Sequence, residues 1–151
     1  MGEFTYFYGS SQSRLSAKGQ VALPKRFRDI LGDEGEGLVI LPGQGKCLYI
    51  YTHRQFGVIR DRVRAAAVRD NDPEFFRSFM EQAAPLELDT QGRFVISAEL
   101  RARAGISGLD IVFIGMDDRI EIWAPELREA ERRPEEFEGK RAQQARDIFG
   151  I

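Results

Sequence analysis

Asp89, Thr90, Gln91, Gly92 and Arg93 set a carboxylate and a guanidinium four positions apart across a glycine-containing turn. Side chains at that spacing can close a bidentate pair that fixes the turn and the crossing of the flanking strands. The motif Asp89, Gly92, Arg93 therefore reads as a structural clamp, with contact to a ligand or phosphate as the alternative. A second group of charges lies upstream. Arg14, Lys18, Lys25, Arg26 and Arg28 place five cations in fifteen residues, with no acid before Asp29. A solvated face more often mixes signs, so this stretch reads as an anion-binding surface.

Catalysis finds little to work with. Cys47 is the only cysteine and His53 the only histidine, which excludes an internal disulfide and leaves nothing for a Cys/His metal site or a serine-type triad. Cys47 reads as a small buried strand residue and His53 as a surface residue at a helix start. Neither a G-x-x-x-x-G-K-[ST] loop nor a G-x-S-x-G elbow is present. A carboxylate paired as Asp89 is with Arg93 has a lowered pKa and makes a poor base near neutrality. The sequence thus assigns no catalytic residue, metal or cofactor, and the protein is expected not to be an enzyme.

These residues sit inside a repeat. Leu15 to Gly32, LSAKGQVALPKRFRDILG, returns 73 positions later as LDTQGRFVISAELRARAG, Leu88 to Gly105. Leu15/Leu88, Gly19/Gly92, Arg28/Arg101 and Gly32/Gly105 are identical, and the apolar positions between them keep their character, as a shared backbone requires. LVILP (Leu38 to Pro42) answers DIVFIG (Asp110 to Gly115), and CLYIYT answers RIEIWA at an offset of 72, so one residue has been gained or lost in the turn between. Each unit reads as strand, short helix, strand, strand. A unit of roughly 50 to 70 residues buries too little to be stable alone, so the two copies are expected to pack as a pseudo-dimer.

Along the chain, Phe4 to Tyr8 reads as a strand closed by a polar loop at Gly9 to Ser13. QVALP follows as a strand, Pro24 opens a helix that ends at Gly32, and acidic DEGEG leads to the hairpin LVILP/CLYIYT. Thr52 can cap a helix from about His53 to Val68, and Pro73 opens a second whose face of Phe75, Phe76, Phe79 and Met80 suits either internal packing or a subunit contact. In the second unit a helix is expected over Ala98 to Ala104. Pro125 opens a last helix stopped by Pro134 and EEFEGK, followed by a mobile tail in which Ile148, Phe149 and Ile151 leave room for docking. The resulting units are residues 4–52, a connecting helical hairpin at 53–84, a second unit at 85–124, and a C-terminal helix and tail at 125–151. No apolar run suits a membrane span or a secretory signal, so the chain reads as soluble and intracellular.

Net charge is −2, but residues 1–69 carry 11 basic against 6 acidic side chains and residues 70–151 carry 11 against 18. The first half offers an anionic partner a favourable field while the second limits promiscuous binding.

SAKGQVALPKRFR, the D-x-x-x-R of Asp89 to Arg93, and the endings CLYIYT and RIEIWA together resemble the MraZ family, within the AbrB-like swapped-hairpin transcription factors with tandem SpoVT-AbrB domains. The resemblance spans about residues 4 to 130. It implies an α+β fold with a mainly β core, two AbrB-like units forming a pseudo-dimeric double-psi-like barrel. It further implies a sequence-specific, DNA-binding bacterial regulator of the division and cell-wall gene cluster, cytoplasmic and nucleoid-associated. Such a protein binds repeated boxes in double-stranded promoter DNA through several subunits of a ring-shaped homo-oligomer. By residue matching, the DNA-facing positions are Lys18, Gln20, Arg26 and Arg28, with Arg14 and Lys25 joining them on composition alone.

The family's first phrase is D-x-K-G-R, and this chain departs from it at Ser16 and Gln20. Arginine can grip guanine O6 and N7 or a phosphate, whereas neutral glutamine pairs with adenine N6 and N7. The alternative reading is accordingly a ring-forming structural or interaction protein with weakened DNA recognition.

Overall fold

Strands exchanged between the two repeats organise the molecule. The computed structural model describes residues 6–32, 37–132, 139–140 and 142–150. Its elements are β1 (Ser10–Arg14), β2 (Gln20–Ala22), α1 (Lys25–Leu31), β3 (Leu38–Pro42), β4 (Leu48–Thr52), α2 (His53–Arg69) and α3 (Pro73–Gln82). The second repeat follows as β5 (Ala84–Leu86), β6 (Arg93–Val95), α4 (Ala98–Arg103), β7 (Asp110–Gly115) and β8 (Ile120–Trp123), then α5 (Pro125–Glu131) and α6 (Ala142–Phe149).

Six strands form one antiparallel sheet in the order β1-β7-β8-β4-β3-β5, and β2 and β6 form a separate two-stranded ribbon. The leading strand of each repeat pairs with the third strand of the other. Ser13 opposes Ile111 and Gln12 opposes Val112, while Leu86 opposes Leu38 and Pro85 opposes Val39. Under the 73-residue offset these are the same pairs. At the centres of the two seams, equivalent residues meet each other: Val21 faces Phe94 in the ribbon, and Tyr49 faces Glu121 between β4 and β8. Backbone bonds repeat the reciprocity, with Leu23 N–H donating to Gly92 O at 2.8 Å and Ile96 N–H donating to Gly19 O at 2.9 Å.

The α+β expectation holds, but among the described residues strand pairing does not close a barrel: β1 and β5 are the two ends of an open sheet order. The first strand also differs from the expectation. Phe7 makes a single bridge to Asp117, Phe4 lies outside the described residues, and the polar stretch expected as a loop supplies β1. Sheet pairing uses main-chain groups, which Ser10–Arg14 offers as well as any apolar segment does; only Ser11 and Ser13 are half-buried. DEGEG, apart from Gly37, and Pro134 with most of EEFEGK lie outside the described residues, as does Ile151.

Side chains from both repeats fill the main core. The Phe113 ring packs against Phe27 and Phe94, with centroids 6.5 and 6.4 Å away, and Leu23 is matched by its equivalent Ile96, both fully buried. The other face of β3 and β4 carries Val39, Leu41 and Tyr51, covered by Phe56 of α2, whose ring stacks on Phe79 of α3 at 5.5 Å. Thr52 caps α2 by accepting from Gln55 N–H, and Asp72 caps α3 by accepting from Phe75 N–H. Packing therefore claims Phe79, while Phe75 and Met80 stay 49% and 38% exposed. Helix α6, which the sequence reading did not anticipate, has no buried residue. No described helix is long and apolar enough to cross a membrane.

Candidate nucleic-acid interface

The two glycine turns share one backbone. Ser16 N–H donates to Gln20 O at 2.8 Å and Asp89 N–H to Arg93 O at 2.9 Å; Gly19 N–H donates to Ser16 O and Gly92 N–H to Asp89 O, both at 2.9 Å. Gly19 and Gly92 adopt φ values of +85° and +76°. A Cβ would be strained in this left-handed region, and space forbids it too. At Gly19 it would lie 2.6 Å from Ile96 O, and at Gly92 2.5 Å from Arg28 Cδ.

Asp89 holds its turn with both oxygens. Its Oδ1 accepts from Gln91 N–H at 2.8 Å and Arg93 N–H at 2.9 Å, and its Oδ2 accepts from Arg93 Nε at 2.9 Å. The Arg93 backbone amide foremost, then the Arg93 side chain, holds this carboxyl below its usual range. In the first turn Ser16 Oγ takes the place of Asp89 Oδ1, accepting from Lys18 N–H at 3.2 Å and Gln20 N–H at 3.0 Å. The exchange of aspartate for serine keeps the backbone half of the clamp and removes the ionic half. The first copy has thus kept more of the motif than the loss of both charges suggested.

The fold divides the upstream cations. Lys18 sits exposed in the first turn and Gln20 half-buried at the start of β2. Arg14 ends β1 and pairs with Asp110 at 3.5 Å, both well exposed. On α1, Lys25 pairs with Asp29 at 2.8 Å, and Arg26 turns back to donate to Ser10 O at 3.1 Å. Arg28 is half-buried, its Nε donating to Leu23 O at 2.9 Å while its chain lies against Gly92 of the other repeat. Its equivalent Arg101 does the same, bonding Ile96 O at 3.0 Å and lying against Gly19. That identity between repeats, Arg28/Arg101 with Gly19/Gly92, was the signal that this arginine packs across the seam.

One face of the β2–β6 ribbon stays open. Val21 and Phe94 point into the core, so Gln20, Ala22, Arg93 and Val95 share the outer face, where Val95 is 59% exposed. Ala22 opposes Arg93 and Gln20 opposes Val95. The second-copy arginine therefore lies beside the first-copy strand, a neighbour that reading each copy separately did not reveal. An exposed two-stranded antiparallel ribbon carrying a cation and an amide, with Lys18 in the adjoining turn, has the width and chemistry to enter the major groove of B-DNA.

The remaining chemistry-bearing residues behave structurally. Cys47 is buried beside the hairpin turn, donates to Gln44 O at 3.5 Å, and has its thiol pushed up to about 12, chiefly by burial. His53 begins α2 on the surface. A network that sequence reasoning missed joins β4 and β8: buried Glu121 accepts from Arg119 at 2.8–2.9 Å and from Trp123 Nε1 at 2.8 Å, and Arg119 lies over the Tyr49 ring. Alternation of Glu121 with apolar Ile120 and Ile122 gave no hint that it would be enclosed.

Residues 79–144 match the profile of a family described as "MraZ protein, putative antitoxin-like". Proteins named transcriptional regulator MraZ are similar over most of the chain. That of Arthrobacter sp. strain FB24 is 37% identical over 118 residues, and those of Thermobifida fusca and Frankia alni are 42% and 43% identical over 122 residues. Each alignment covers 78% of this chain and 80% of the relative. At this identity and coverage, the chain belongs to the MraZ family, whose named members are transcriptional regulators rather than enzymes.

Proposed function

We propose that this protein is a sequence-specific DNA-binding transcriptional regulator that lays the β2–β6 ribbon into the major groove. The open ribbon face carries the reading: it presents Gln20 and Arg93, flanked by Lys18, on strands whose other face is locked into the core. Arg14, Lys25, Arg26 and Arg28 contribute the surrounding positive field rather than base contacts, since each already has a partner within the chain. The resemblance extends the proposal to repeated promoter boxes of the division and cell-wall gene cluster, in the cytoplasm and at the nucleoid. The same resemblance supplies a ring-shaped homo-oligomer whose subunits engage successive boxes. Weak contacts from linked subunits then add through effective concentration. The reciprocal strand exchange supports the pseudo-dimeric arrangement of the two units, and exposed Phe75 and Met80 leave apolar surface for self-association.

Anisotropy titration of a labelled duplex from upstream of its own gene, against a scrambled duplex at two salt concentrations, tests the proposal. Tighter binding to the native duplex, weakening as salt rises, is expected. Equal, salt-insensitive failure on both would leave the scaffold reading.

A further inference from the structure

We infer that Gln20 and Arg93 form an unlike reading pair on the ribbon, Arg93 taking a guanine and Gln20 an adenine, so that each subunit reads an asymmetric step in the duplex. The inference rests on the DNA-binding reading above and adds which bases are read and by which repeat. Gln20 and Arg93 are equivalent positions under the 73-residue offset. Because Gln20 opposes Val95, Arg93 is its diagonal neighbour on the same face, about 7–8 Å away. That separation matches about two base-pair steps of ~3.4 Å. Two like residues here would present a two-fold symmetric surface; this chain presents a cation and an amide.

The two positions are also prepared differently. Arg93 is held at Nε by Asp89, and its terminal guanidinium nitrogens have no partner among the described residues, which leaves a fork for guanine O6 and N7. Fixing an arginine through its inner nitrogen lowers the entropy lost when the outer pair binds, so Asp89 is a positioning residue. Ser16 has no charge to hold an arginine at position 20, whereas the amide of glutamine needs none: it donates and accepts toward adenine N7 and N6. The asymmetry of the turns and the asymmetry of the reading groups agree.

The full-length protein is titrated by anisotropy against its own upstream duplex and against duplexes substituted one base pair at a time. Arg93→Ala should weaken binding between about 5-fold and about 150-fold and flatten the preference at a guanine position. Gln20→Ala should flatten the preference at an adenine about two base pairs away, and Gln20→Arg should turn that preference toward guanine. Arg93→Lys, which keeps the charge but not the planar fork, should retain the salt dependence and weaken the guanine preference. Asp89→Asn should weaken guanine discrimination without lowering affinity for scrambled DNA, which a purely structural role would not do. Thermal unfolding of each variant separates misfolding from lost contact. If Arg93→Ala and Arg93→Lys, both folded, keep the wild-type base preferences while the wild type still discriminates its own duplex, the pair is wrong and the DNA reading stands. If the wild type itself does not discriminate, the DNA reading falls and the pair with it.

Discussion

Gly19 and Gly92 occupy equivalent turns, yet the walls around them differ. Ile96 O, which a Cβ at Gly19 would strike, is main chain that accepts from Arg101 Nε, and the same residue's N–H is tied to Gly19 O, whereas at Gly92 the obstacle is the Arg28 side chain. Gly19→Ala should therefore cost more than Gly92→Ala. Left-handed strain alone contributes about 1–2 kcal/mol in each, and the carbonyl clash takes the first well past that range. Urea unfolding of the two variants checks the order, which reverses if Arg28 rather than Ile96 is the rigid wall. Asp89 adds a pH dependence. Its folded pKa lies below the ordinary 3.8, so its stabilisation is complete above that value and disappears as pH falls through the lower folded one. The stability gap between wild type and Asp89→Asn should accordingly narrow as pH falls below the ordinary 3.8 toward the lower folded value. A gap that stays constant to the acid limit would show that the carboxylate contributes only its shape.

At the level of elements, much could be read directly. Thr52, Asp72 and Pro73 mark the starts of α2 and α3, and Gly32 ends α1, because caps and breakers act through local geometry. β1 escaped because its alternation is carried by serine, glutamine and arginine, which hydropathy does not register. The site was half legible: the Asp89/Arg93 pair follows from spacing, although it closes through Nε alone and not as the bidentate fork expected, because Oδ1 is taken by the turn's own amides; the approach of Arg93 to Ala22 depends on how β2 and β6 pair, which no local pattern records. Glu121 was hidden for the same reason, since its partners Arg119 and Trp123 matter only once β8 lies against β4. Removing it leaves Arg119 with Asp118 and the face of the Tyr49 ring at that seam. Glu121→Ala should cost about 3 kcal/mol, the lower end for breaking an enclosed ion pair because Arg119 keeps some solvent. The emission of Trp123, the only tryptophan, should shift with the loss of its indole bond, reporting the change at the seam itself. An unshifted spectrum with unchanged stability would mean that the network is incidental.

For the whole molecule, the charge imbalance between halves loses its simple meaning. The sequence suggested a cationic first repeat for binding and an acidic second for structure. Folding places Arg93 of the second beside Ala22 of the first and hands Arg28 of the first to the second as packing. The outer ribbon is thus a joint product, and neither repeat can present it alone. The strand exchange carries this further. Asn71, exposed in the α2–α3 turn at φ +50°, lies at the only crossing between repeats that uses covalent chain without sheet pairing. A cut there should leave residues 1–71 and 72–151 associated in native buffer, co-eluting until denaturant parts them. Separation without denaturant would show that the exchanged strands do not hold. Once parted, the fragments should complement each other on dilution from denaturant, at a rate that rises with fragment concentration because each is the template for the other's missing strand. On that outcome the continuity of the chain would matter less to this protein than the strand pairs β1–β7 and β3–β5, which tie each repeat to the other as two subunits are tied.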